Sequence, residues 1–101
     1  MVYALLVPGP INDVVDVRVL QWHREEGAGV SPGELIVELE THKVVVEIRA
    51  AQRGILRRRL CAAGEWRRMG NPLALLSDEA DSPLPETAKG LPEWHAEFQL
   101  T

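Results

Sequence analysis

Lys43 is the residue on which chemistry can be argued. Residues 1–76 contain nine arginines and one lysine, and that lysine ends the short connection Thr41-His42-Lys43 between two alternating apolar runs. Such a connection predicts a tight β-hairpin turn with the amine at its tip. A sole lysine at such a tip is a placed amine. Other reactive side chains are sparse. Cys61 is the sole cysteine, which excludes an intrachain disulfide and a multi-cysteine zinc site. It reads as a small apolar strand residue. His23, His42 and His95 lack the close pairing of a metal-ligand set, and no Ser/His/Asp or Cys/His arrangement is legible. We expect no metal and no catalytic residues.

The elements that must hold Lys43 read as strands. Leu35, Val37 and Leu39 fall on one face and Glu38 and Glu40 on the other, and Val44, Val46 and Ile48 repeat the alternation. β-Branched residues are dense at Val14, Val15, Val17 and Val19 and again at Val44 to Val46. The expected strands are 2–7, 14–22, 35–40, 44–49, 55–61 and 73–76. An internal repeat organises them. Gly27 recurs as Gly64, Gly33 as Gly70 and Leu39 as Leu76, so each half reads strand, Gly-x5-Gly loop, strand. Two copies of one pattern predict a quasi-symmetric β structure, a small sandwich or flattened barrel.

Length and composition agree with one small domain: 101 residues, 46% apolar and 26% charged. Unbroken apolar runs such as Ala4 to Val7 are short, far below the ~20 residues of a membrane span, and no secretory signal pattern follows Met1. A cytoplasmic protein without a membrane partner is expected. The net charge of −4 is uneven. Residues 1–76 carry ten basic against nine acidic side chains, whereas 77–101 carry Lys89 against six acids, with Pro83, Pro85 and Pro92 among them. We expect a domain over 1–78 and an acidic, proline-containing tail over 79–101. Within that tail Leu91, Trp94 and Phe98 have helical spacing after Pro92, which predicts a short helix at 91–100 that docks on the domain or on another subunit. Arg53, Arg57, Arg58, Arg59, Arg67 and Arg68 read as a solvated strand face or a seat for acidic groups. With a nearly neutral body, nucleic-acid binding is not expected.

The run from Val19 through Gly27 and Gly33 to Glu40-Thr41-His42-Lys43-Val44, followed by Gly54 to Gly64 and Gly70 to Leu76, resembles the lipoyl domain of 2-oxo acid dehydrogenase acyltransferase subunits. The resemblance covers roughly residues 2–78. It implies an all-β fold of two four-stranded sheets with a pseudo-twofold repeat, and lipoate joined by an amide to Lys43. Glu40, Thr41, His42 and Val44 would be recognition neighbours. It also implies a non-catalytic carrier, loaded by a lipoate-attaching enzyme. Its partners would be a thiamine-diphosphate-dependent decarboxylase, an acyltransferase core and the flavoprotein dihydrolipoyl dehydrogenase. Members of the family usually have Asp before the lysine and Ala after it, where this chain has His42 and Val44. The alternatives are a biotin carboxyl carrier and an unmodified interaction module of the same hammerhead fold. The methionines that normally flank a biotinyl lysine are absent, Met1 and Met69 both lying far from Lys43.

Overall fold

The computed structural model describes residues 1–101, and its regular elements are all strands. They are β1 (Val2–Leu6), β2 (Asp16–Trp22), β3 (Gly29–Val30), β4 (Leu35–Glu40), β5 (Val45–Ala50), β6 (Gly54–Arg59), β7 (Trp66–Arg68), β8 (Pro72–Ser77) and β9 (Ala96–Leu100). One sheet runs β1-β8-β6-β3 and the other β7-β2-β4-β5-β9, with every neighbouring pair antiparallel. The sheets face each other as a sandwich rather than closing into a barrel. Between them lie Val17, Val19, Ile36, Leu39, Val46, Ile48, Leu56 and Leu73, each at most 1% exposed. The expected alternation in β4 has one exception: Ile36 is buried beside Val37 because the register shifts between Leu35 and Val37.

The repeat in the sequence is a repeat in hydrogen bonding. Gly27 donates its N–H to the Leu56 carbonyl and Gly64 donates its own to the Val19 carbonyl, both at 2.7 Å. The next bonds are reciprocal too, Leu56 N–H to Ala28 and Val19 N–H to Glu65, each at 2.9 Å. Each half thus ties its loop to a strand of the other half. Gly27 and Gly64 share φ = 92°, a left-handed conformation in which a Cβ would be strained, which explains why the turn demands glycine twice.

Residues 91–100 correct the expected helix. They are extended, and β9 adds to β5 as a fifth strand, with Ala96 opposite Ala50 and Leu100 opposite Val46. The helical spacing of Leu91, Trp94 and Phe98 coincided with a second pattern, Ala96, Phe98 and Leu100 at period two, and the strand pattern governs. Pro92 forbids a ladder N–H but not an extended chain, and its carbonyl accepts the Ala4 N–H at 2.9 Å. Trp94 returns its N–H to the Ala4 carbonyl at 2.7 Å, making a parallel bridge to β1. Its indole is 1% exposed and meets Tyr3 edge to face, with ring centroids 5.7 Å apart. The tail therefore crosses from the edge of one sheet to the edge of the other as a strap. Arginines of β6 hold its first part, though through carbonyls rather than carboxylates: Arg57 bonds Glu79 O at 3.2 Å and Arg58 bonds Pro85 O at 3.2 Å.

Candidate functional site

The β4–β5 connection brings Glu40, Thr41, His42, Lys43 and Val44 together at one end of the sandwich. Thr41 shapes it. Its N–H bonds the Val44 carbonyl at 2.9 Å, and its hydroxyl oxygen accepts the N–H groups of Lys43 and Val44, each at 3.0 Å. One side chain thereby satisfies two backbone donors that the turn leaves without a ladder partner. Val44 packs partly buried against the core and Glu40 pairs with Arg18 on β2 at 2.6 Å. These two residues fix the roots of the turn, while His42 and Lys43 remain exposed.

The Lys43 ammonium meets Asp13 Oδ2 at 3.1 Å, with the two side chains 46% and 72% exposed. The sequence reading missed Asp13. It lies 30 residues away in the β1–β2 loop, and no local pattern links it to the hairpin. Its signal lay in Asn12-Asp13, a pair suited to left-handed turns, followed by apolar Val14. Asp13 has φ = 62°, the Val14 N–H closes the turn on the Ile11 carbonyl at 3.1 Å, and Val14 is buried. The loop is thus anchored on both sides of a carboxylate that faces the lysine. The carboxylate bonded to the lysine thus comes from the β1–β2 loop and not from the hairpin itself.

At the opposite end of β2, Trp22 donates its indole N–H to the Cys61 carbonyl at 2.9 Å, and the Arg59 guanidinium lies 5.8 Å from its ring centroid. Burial pushes the Cys61 thiol above its usual range, so it is a packed, protonated group. Among the loops, Glu34 is held below the usual carboxylate range, first by the Ser31 N–H at 2.7 Å and then by Arg24. No three His, Cys, Asp or Glu side chains converge as metal ligands. No helix is long and apolar enough to cross a membrane.

Lys43 suits an amide-linked group on geometric grounds. It projects from a turn braced at its base, its Nζ bonds a single exposed carboxylate, and no buried cavity has to admit the attached acid. The turn can therefore present the amine to a modifying enzyme without unfolding.

Residues 4–76 match the family model described as "Biotin-requiring enzyme". The chain is 42% identical over 65 residues to the dihydrolipoyllysine-residue succinyltransferase component of the 2-oxoglutarate dehydrogenase complex of Haemophilus influenzae, covering 64% of this chain and 16% of that protein. It is 30% identical over 107 residues to the dihydrolipoyllysine-residue acetyltransferase component of the pyruvate dehydrogenase complex of Rickettsia conorii, covering 90% of this chain and 26% of that one. The chain thus spans a small part of these relatives. Among solved structures it resembles the lipoyl domain of the 2-oxoglutarate dehydrogenase complex from Azotobacter vinelandii, with a TM-score of 0.65 and 31% identity over 74% of this chain and 95% of that one. Residues 77–101, the strap among them, lie outside the family match. With the paired glycine loops and the lysine-tipped hairpin, these likenesses assign the chain to the biotin- and lipoyl-attachment family, with the fold of a lipoyl domain.

Proposed function

We propose that Lys43 is the attachment point of lipoate and that the chain is a non-catalytic carrier in a 2-oxo acid dehydrogenase complex. The observation that carries the reading is Lys43 itself, the one lysine of residues 1–76, at the tip of a turn braced by Thr41. When bound, lipoate supplies a dithiolane that accepts acyl groups and electrons. The protein's part is mechanical. The Thr41 hydroxyl keeps the turn in one shape, the Glu40–Arg18 pair and Val44 hold its roots, and Asp13 orients the amine before attachment. A rigid platform with one mobile arm raises the local concentration of the carried group at each partner, so transfer approaches an intramolecular event. The partners in this reading are a lipoate-attaching enzyme, a thiamine-diphosphate-dependent decarboxylase, an acyltransferase core and dihydrolipoyl dehydrogenase, in the cytoplasm.

The test is intact mass after incubation with lipoate, ATP and a lipoate ligase, with biotin and a biotin ligase in parallel. A lipoyl increment that disappears in Lys43→Ala is the expected result. A biotinyl increment alone would transfer the protein to carboxyl-carrier chemistry, and no increment from either enzyme would make it an unmodified interaction module.

A further inference from the structure

The strap that completes the second sheet also gives it a new edge. Ladder bonds between β5 and β9 join Val45 with Thr101 in both directions, at 3.2 and 2.8 Å, and Ala51 N–H to His95 O at 3.2 Å. Antiparallel alternation then turns the peptide groups of Ala96, Phe98 and Leu100 away from β5. The other edges are protected. β1 is bridged by the strap, β3 has two residues, and β7 has three, among them Arg67 and Arg68. β9 has five residues, with no proline, no basic side chain and no register shift. It is the kind of edge that soluble proteins cover or pair.

The side chains repeat the pattern of the backbone. Phe98 lies opposite Ile48 and Leu100 opposite Val46, so both stand on the core-facing side of the sheet, yet they are 45% and 46% exposed. Beside Phe98 opens a cleft of about 430 Å³, lined by Pro10, Ile48, Met69 and Trp94 among others. The apolar face of the sheet runs past the end of the sheet that covers it.

We infer that β9 pairs with β9 of a second copy of this chain, antiparallel about a twofold axis at Phe98, to make a continuous sheet across a dimer. Only a self-complementary strand can do this, and three features of β9 fit. In this register Phe98 faces Phe98 and Ala96 faces Leu100 of the second copy, so every outward N–H and C=O finds a partner. On the outer face Glu97 faces Gln99 of the second copy, and the row across the sheet reads Arg49, Glu97, Gln99, Glu47, with an amide separating the two acids. On the core-facing side the two Phe98 rings meet over the mouths of the clefts. The neighbouring register centred on Glu97 is worse, because it opposes Glu97 to Glu97.

Sedimentation equilibrium of the chain, of Gln99→Lys and of Gln99→Glu, from micromolar to millimolar concentration, tests the register. Both substitutions lie on the solvent face. We expect a reversible dimer whose dissociation constant falls roughly tenfold in Gln99→Lys and rises roughly tenfold in Gln99→Glu, because the twofold axis counts each cross-strand pair twice. Amide exchange supplies the second readout, with Ala96, Phe98 and Leu100 slowing as concentration rises. A monomer at all concentrations overturns the inference, as do equal constants in the three proteins. Growth beyond a dimer overturns it in favour of head-to-tail pairing of β9 with β7.

Discussion

Thr41 and Asp13 act on Lys43 in different ways, and their removal should separate shape from orientation. Thr41→Val keeps the volume and removes the oxygen that accepts two N–H groups. One of these donors reaches water and the other is partly buried, so the cost should be about 1 kcal/mol, which thermal unfolding would register as a fall of roughly 4–8 °C. Thr41→Ser should be close to neutral. Asp13→Asn removes an exposed pair, so stability should hold within about 0.5 kcal/mol, while lipoate attachment to Lys43 slows by up to about fivefold. If His42→Asp restores that rate in the Asp13→Asn background, a carboxylate near the amine is what the attaching enzyme uses; an unchanged rate in Asp13→Asn would remove Asp13 from the site. Lys43 was legible because its type was unique in the body. Asp13 was not, because a contact across 30 residues leaves no trace in local spacing.

The strands around the core were legible wherever alternation had room to show. β1, β2, β4, β5, β6 and β8 were all expected, while β3 and β7, of two and three residues, carry too little pattern to register. β9 failed for another reason, since two periods overlapped and tertiary pairing to β5 selected the extended one. Trp94 is the anchor of that choice. A Cβ at Gly54 would stand 2.1 Å from Trp94 Cη2 and 3.0 Å from the Ser77 carbonyl oxygen, so glycine is required there for space rather than for φ. Trp94→Ala should cost about 3–5 kcal/mol and Gly54→Ala roughly 1–3 kcal/mol. Chemical denaturation of the pair should show that most of the Gly54→Ala cost vanishes once the indole is gone. Strictly additive effects would mean that the two residues do not meet.

At the scale of the molecule, the half-to-half repeat was readable from glycine positions, and the extended course of the tail was not, because the helical spacing of Leu91, Trp94 and Phe98 masked it. The loop of the first half gives stability a pH dependence. Glu34 titrates below its reference value of 4.5 because the folded chain bonds its ionised form through Ser31 N–H and Arg24. Its contribution is therefore complete above 4.5 and disappears as pH falls through the lower folded value. Denaturant midpoints measured from neutral pH into this acid range should fall less steeply for Glu34→Gln than for the parent chain. The reciprocal bonds of Gly27 and Gly64 carry a further consequence, for the order of events in folding. Val2 pairs with Ser77 and Asp16 with Arg68, so most of the chain must be collected before any of these pairs closes. The loop of each half is completed only by a strand of the other. Neither half then has a stable state to occupy alone, and the transition state must contain parts of both, as expected of a slow, high-contact-order, all-or-none folder.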